Sequence, residues 1–165
     1  MIVFEKIRWK NFLSSGNSFI DVNLNNNSTT LIVGHNGAGK STILDALCFA
    51  LFSKPFREIK KEQLVNSINL GGTEVELEFR ISSNRYKIKR GIKPNIFEVY
   101  QNDELLNQTS TVADYQKQLE HQILKFNYRT FTQVVILGSS TFVPFMELKA
   151  PHRREVIEDI LDIKI

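Results

Sequence analysis

The chain has 165 residues, of which 42% are hydrophobic and 24% are charged, and its formal net charge is +3. This composition is ordinary for a globular domain, and so mild a charge does not by itself indicate nucleic-acid binding. Cys48 is the only cysteine, which excludes an internal disulfide, and the longest apolar run, 46–52, is too short to cross a membrane. We therefore expect a cytoplasmic protein without a membrane partner.

The first part of the chain is predicted to consist mainly of β-strands. Residues 1–9 (MIVFEKIRW) are rich in strand-forming residues, and 19–24 alternates apolar with polar residues as a half-buried strand does. The apolar run 30–33 (TLIV) predicts a buried strand. Residues 43–52 have helical spacing, and Pro55 marks the end of that helix, because proline disfavours helical backbone in the residue before it.

A glycine-rich loop lies between the predicted strand 30–33 and this helix. Residues 34–42 (GHNGAGKST) fit the phosphate-binding pattern G-x-x-x-x-G-K-[ST]. In that pattern backbone N–H groups wrap an anion, the lysine reaches the β- and γ-phosphates and the serine hydroxyl binds magnesium. We predict ATP and Mg²⁺ as cofactors, with Lys40 and Ser41 as catalytic residues and Ser41 as the metal ligand. The nucleotide-binding residues predicted in the loop are Asn36, Gly37, Ala38, Gly39, Lys40, Ser41 and Thr42.

The middle of the chain predicts an antiparallel meander. Its three strands are expected at 74–81, 85–90 and 96–100, with short turns between them. Asp103-Glu104 follows polar residues and is predicted to lie in a hairpin turn, so we reject it as a magnesium-binding pair. No other adjacent Asp-Glu pair occurs in the sequence, which therefore contains half of an ATPase site.

The last third of the chain is predicted to be mainly helical. Residues 111–125 have helical apolar spacing, 134–137 (VVIL) predicts a short apolar strand, and a final helix begins near Ala150. The chain ends within that helix without a cap, so we expect the protein to continue beyond residue 165. The apolar face predicted for this helix comprises Val156, Ile157, Ile160 and Leu161.

Basic residues cluster on the second strand of the meander. Arg85, Lys87 and Lys89 share one face of that strand, opposite Tyr86 and Ile88. A one-sided basic strip suits contact with DNA phosphates, while a solvated outer sheet face explains the same residues equally well. The predicted DNA-contacting residues are Arg57, Arg85, Lys87, Lys89, Arg90 and Lys93.

Three features together resemble one family. They are the phosphate loop, the strand end 9–12 (WKNF), and 131–138 (FTQVVILG) followed by a helix. The whole chain resembles the N-terminal half of the ATPase head of SMC-like DNA double-strand-break repair ATPases of the SbcC type. Residues 54–57 (KPFR) and 93–95 (KPN) most resemble the T-even phage form, a recombination exonuclease subunit.

This resemblance implies a fold and further nucleotide contacts. The expected fold is α/β, the N-terminal lobe of an ATP-binding-cassette-type P-loop head over residues 1–165. It would have a mixed sheet bearing the loop, an antiparallel β meander and a terminal helix leading to a coiled coil. Lys10 matches a basic residue that contacts the nucleotide phosphates, and Lys60 and Lys61 fall where a family loop approaches the nucleotide. One departure is 138–141 (GSST), where the family has a glutamine that binds magnesium.

The resemblance also implies a function. ATP-driven dimerisation of two heads would gate a nuclease's access to double-stranded DNA ends. The implied partners are a C-terminal lobe of the same protein, a second head, a metallo-phosphoesterase nuclease subunit and double-stranded DNA. The full-length protein would be an ATPase, and residues 1–165 alone would hydrolyse almost no ATP. The alternatives are an SMC- or RecN-like structural DNA clamp without a nuclease and, less favoured, a transporter ATPase subunit.

Overall fold

The computed structural model describes residues 1–106, 111–136 and 143–161. They belong to two compact units, one within residues 1–107 and one within 108–165. None of the helices in the described ranges combines the length and apolar character that a bilayer crossing requires. The assignment of residues 1–165 to one lobe of a larger head stays a prediction.

One antiparallel sheet forms the framework of the first unit. Its six strands lie in the order β2-β1-β3-β4-β5-β6, which confirms the predicted meander and both N-terminal strands. Asn102 and Asp103 both have positive φ and connect the last two strands, so the hairpin predicted around Asp103-Glu104 is also confirmed. The strands are β1 Ile2–Lys10, β2 Ile20–Asn23, β3 Thr73–Ile81, β4 Asn84–Ile92, β5 Ile96–Gln101 and β6 Glu104–Leu105.

Helix α1, Thr42–Phe52, packs on the inner face of this sheet against β1, β3 and β4. Alternation along the strands buries Ile7, Leu77 and Ile88 completely on that face. From the helix, Phe49 is also fully buried, and burial of each such side chain contributes roughly 1.5–3 kcal/mol. Cys48 is buried among them as predicted, and this burial raises the pKa of its thiol.

Arg90 holds the C-terminal end of α1. Its Nε donates a hydrogen bond of 2.9 Å to the carbonyl of Ala50, and its guanidinium lies 3.7 Å from the centre of the Phe97 ring. The contact satisfies one of the carbonyls that the last turn of a helix leaves without a helical partner. The prediction that Arg90 contacts DNA is wrong, because this side chain is buried on the inner face of the sheet.

The segment before the phosphate loop differs from its prediction. Residues 30–33 form no strand, and Leu31 and Val33 are 85% and 81% exposed. A strand is buried only if neighbours cover it and pair with its backbone, and no strand of the described chain pairs with this segment. The sheet that forms is accordingly antiparallel throughout, and the predicted mixed sheet bearing the loop is not observed.

The second unit is helical. Residues 111–125 form the predicted helix, as α2 (Val112–Gln118) continued by a π-helical turn (Leu119–Leu124). The strand predicted at 134–137 does not form over its described part, 134–136, because α3 spans Tyr128–Val134 and a turn follows it; residue 137 lies outside the described residues. Asn127 starts this helix by accepting a hydrogen bond of 3.0 Å from the Thr130 N–H, and such a cap favours helix over strand. The departure at 138–141 lies outside the described residues.

The terminal helix α4 spans Ala150–Leu161, as predicted. Only part of its predicted apolar face is covered. Val156 is 2% exposed, whereas Ile157, Ile160 and Leu161 are 45–58% exposed. Polar contacts join the helix to α3, including a hydrogen bond of 2.6 Å from the Thr130 hydroxyl to Asp159.

The outer face of the sheet carries three rows of alternating charge, which we term the charge ladder. Glu76, in the central row, accepts from Arg8 at 2.7 Å and from Lys87 at 3.0 Å, although it is only 4% exposed. Glu74 is paired in the same way with Lys10 at 3.2 Å and Lys89 at 3.0 Å. The ladder consists of Lys6, Arg8 and Lys10 on β1, Glu74, Glu76 and Glu78 on β3, and Arg85, Lys87 and Lys89 on β4.

Substitution of Glu76 tests how far the charge ladder stabilises the sheet. Glu76→Gln removes the buried carboxylate shared by Arg8 and Lys87, so we expect the free energy of unfolding to fall by about 1–3 kcal/mol. Denaturant titration followed by circular dichroism measures this change. Asp21→Asn is the matched control, because Asp21 is 46% exposed in its ion pair with Lys6, and we expect it to cost less than about 1 kcal/mol. An equal cost for both variants would contradict the prediction.

Candidate nucleotide-binding site

The phosphate loop has a backbone that only glycine adopts without strain at two positions. Gly37 and Gly39 have φ values of +86° and +88°. Within the loop the Ala38 N–H donates to the His35 carbonyl at 3.1 Å. The loop leads directly into the first turn of α1, where backbone N–H groups have no helical partner and the helix dipole favours an anion.

Lys40 lies against the loop that carries it. Its ammonium donates to the carbonyls of Gly34 at 2.7 Å and His35 at 2.8 Å. A lysine ammonium has three N–H groups, so these two contacts leave one for a ligand. The two carbonyls thus hold the charge of Lys40 beside the loop, where a phosphate group would benefit from it.

Beside the loop is a cavity of about 530 Å³. This size lies within the range of small-molecule sites. On one side are residues of the phosphate loop, and on the other are the 13–14 turn and the segment 57–67. The lining residues are Leu13, Ser14, Asn36, Gly37, Gly39, Lys40, Ser41, Thr42, Arg57, Gln63, Val65 and Ser67.

Asn66 links the two chain segments that form the far wall of this cavity. Its side-chain amide donates to the carbonyls of Leu13 at 3.1 Å and Ser15 at 2.9 Å. The same side chain accepts from the N–H groups of Ile68 at 2.9 Å and Asn69 at 2.9 Å. One buried amide therefore joins two chain segments that are about fifty residues apart, which is why Leu13, Val65 and Ser67 lie in one wall.

The predicted loop residues are found together at this cavity. Six of them line it, and the seventh, Ala38, lines a second cavity of about 340 Å³ next to the loop. Sequence reasoning missed the far wall, because the joining contacts of Asn66 are long-range. Arg57, which was predicted to contact DNA, also lines the cavity, and its contact with DNA stays a prediction.

Three lysines implied by the resemblance do not line the cavity. Lys10 belongs to the charge ladder, where it pairs with Glu74 and lies 4.7 Å from the centre of the Phe19 ring. Lys61 donates to the Ser53 hydroxyl at 3.0 Å, and its burial and the nearby charge of Arg90 lower its pKa. Lys60 begins the 3-10 turn Lys61–Leu64 and is absent from the lining. Of the turn that follows β1, Leu13 and Ser14 line the cavity.

Ser41 fits the predicted role of a magnesium ligand. Its hydroxyl makes no capping hydrogen bond to α1 and lies at the cavity, so its oxygen is available to a hard cation. Among the described residues no cluster of three or more His, Cys, Asp or Glu side chains could hold a metal ion by itself.

The strip predicted to contact DNA lies on the outer face, but its charges are paired. Arg85 donates to Glu78 at 2.7 Å, and Lys87 and Lys89 pair with Glu76 and Glu74. Burial acts to raise the pKa of Glu74, but hydrogen bonds from Lys89 and Lys10 outweigh it and leave this pKa below its usual value. Lys93 is exposed in the turn between β4 and β5. Contact of this strip with DNA stays a prediction.

Known proteins with similar sequences have names that agree with the family predicted from the sequence. Exonuclease subunit 2 of enterobacteria phage T4 is 44% identical over 158 residues, which are 96% of this chain and 28% of the phage protein. The DNA double-strand break repair Rad50 ATPase of Thermoplasma volcanium is 29% identical over 168 residues, 98% of this chain and 18% of that protein. The chain thus spans little more than a quarter of the phage relative.

The fold also matches solved structures. A chain from a study of ATP-driven dimerization and DNA-stimulated activation of SMC ATPases superposes with a TM-score of 0.63, covering 96% of this chain and 99% of that chain. Its identity of 22% shows the fold alone. This match confirms the predicted ATP-binding-cassette-type head fold, and the similar phage and Rad50 sequences confirm the resemblance to SMC-like repair ATPases. The AAA domain family matches residues 6–165, and this chain belongs to that family.

Proposed function

We propose that this chain is the ATP-binding half of the ATPase subunit of a DNA-end-processing nuclease complex. The observation that carries the proposal is the cavity of about 530 Å³ where Lys40, Ser41 and Thr42 of the phosphate loop lie together. The names of the relatives, an exonuclease subunit and a DNA double-strand break repair ATPase, support the rest of it.

In this proposal each part of the loop has one task. Within residues 36–42, the backbone N–H groups other than those of Ala38 and Thr42, which donate to loop carbonyls, bind the phosphates of ATP at the start of α1, and the Lys40 ammonium balances their charge. Ser41 supplies a hydroxyl ligand to magnesium, which neutralises charge that develops on the phosphates during hydrolysis. The acidic groups that orient the attacking water would come from a C-terminal lobe of the same protein.

The remaining partners are proposed for the whole assembly. ATP would close two heads into a dimer, hydrolysis would reopen them, and the closure would gate access of a metallo-phosphoesterase nuclease subunit to double-stranded DNA ends. A structural DNA clamp without a nuclease is the alternative. SMC heads share the fold at 22% identity, whereas the phage exonuclease subunit shares 44% of aligned residues, so the nuclease complex is favoured.

Removal of the loop lysine tests nucleotide binding. Lys40→Ala should weaken ATP binding by the 165-residue chain at least tenfold, because a charge-assisted contact to the phosphates is lost. Isothermal titration calorimetry with Mg-ATP measures the change. Lys117→Ala is the control, because Lys117 is 72% exposed on α2 in the second unit. Equal affinities in the two variants would refute the site, and rapid ATP turnover by the wild-type chain alone would refute the half-site argument.

A second measurement tests DNA contact by the strip. If Lys87 and Lys89 each neutralise a DNA phosphate, the double change Lys87→Gln/Lys89→Gln should lower the salt dependence of duplex binding by a slope of about 1.8. Fluorescence anisotropy with a 30-base-pair duplex at several salt concentrations measures the slope, and Lys117→Gln serves as the control. An unchanged slope together with a lower melting temperature would assign both lysines to the charge ladder alone.

A further inference from the structure

A buried carboxylate in the first turn of α1 holds the chain segment that faces the phosphate loop. Asp45 is 0% exposed, and its Oδ1 accepts from the N–H groups of Phe56 at 3.1 Å and Arg57 at 3.0 Å. Its Oδ2 accepts from Nε of Arg57 at 2.7 Å and from Nη2 at 2.5 Å. Each carboxylate oxygen therefore has two N–H partners, and both partners of Oδ2 belong to the Arg57 guanidinium.

This ion pair is rigidly connected to the phosphate loop. The Asp45 N–H donates to the carbonyl of Ser41 at 3.2 Å, so Asp45 lies one helical turn, about 5.4 Å, beyond the loop. Arg57 lines the same cavity as Ser41 and Thr42. The buried helix thus sets the position of the loop and of the guanidinium together.

Arg57 has donors left for a ligand. A guanidinium carries five N–H groups, and Asp45 engages two of them. The other three make no hydrogen bond within the described part of the chain, and the side chain is 44% exposed. Asp45 holds the edge of the guanidinium formed by Nε and Nη2, which leaves the N–H groups on the opposite side available. Planar donors held in this way suit the oxygen atoms of a phosphate group.

We propose that Arg57 binds the phosphate chain of the nucleotide and that Asp45 is its positioning residue. This inference rests on the proposed ATP-binding function. An amide at position 45 could still accept the two backbone N–H groups, so turn capping alone does not require a carboxylate. A buried charge is costly unless it is paired, and here its whole second oxygen is used to orient the guanidinium that lines the cavity.

The test measures the affinities of the 165-residue chain for Mg-ATP and for magnesium tripolyphosphate, by competition with a fluorescent ATP analogue. Arg57→Gln should weaken both ligands about tenfold, because a charge-assisted contact to phosphate is lost. Asp45→Asn should weaken both about threefold and add nothing in the Arg57→Gln background. Arg80→Gln is the matched control, because Arg80 is 49% exposed in an ion pair with Glu5, and both affinities should stay within twofold.

Each contrary outcome has a distinct meaning. Unchanged affinities in Arg57→Gln, whatever its melting temperature, would overturn the inference and leave Arg57 as a structural partner of Asp45. Weaker ATP binding with unchanged tripolyphosphate binding would overturn the assignment to phosphate. If Arg57→Gln does not fold, Arg57→Lys decides, since it keeps a cation beside Asp45 but loses the planar fork.

The same assay separates this inference from the proposed function. If Lys40→Ala weakens ATP binding and the Arg57 variants do not, only the inference fails. If the wild-type chain binds neither ligand, or Lys40→Ala binds both as the wild type does, the proposed function fails and the role of Arg57 fails with it.

Discussion

Burial of α1 against the inner face of the antiparallel sheet is the constraint on which the candidate site depends. An anion-binding loop is useful only if its N–H groups are held in one direction, and the direction of these is set by the helix that follows them. Apolar side chains such as Phe49 hold the helix along its length, while Arg90 satisfies the Ala50 carbonyl near its end. Asp45 extends the same constraint to the opposite wall of the cavity.

Much of this arrangement could be predicted from the sequence, because the signals are local. The phosphate loop is recognised from nine consecutive residues, and the meander from strict alternation in 74–81 and its neighbours. Alternation could also have excluded Arg90 from the outer face, because its position has the same parity as the buried Tyr86 and Ile88. That error came from counting nearby charges rather than following the strand period.

Other features could not be predicted, because they depend on neighbours that are distant in sequence. The run 30–33 has the composition of a buried strand, but burial requires a covering partner that composition does not specify. Lys10 and Lys61 do not line the cavity, and their ammonium groups contact Glu74 and Ser53. The partnership of Asp45 with Arg57 spans twelve residues and a turn, so no periodic pattern reveals it.

The exposed segment 30–33 has a consequence for how the loop responds to its surroundings. Within the described chain the loop is bound into the fold through α1 at one end, whereas no strand pairs with the residues that precede it. A chain that added a strand along 30–33 would hold this second end, and any resulting change in the free energy of phosphate binding would be linked to the added strand. Thermodynamic reciprocity then requires a bound nucleotide to change the affinity for that added strand by the same factor. Strand addition and nucleotide binding would then be thermodynamically coupled.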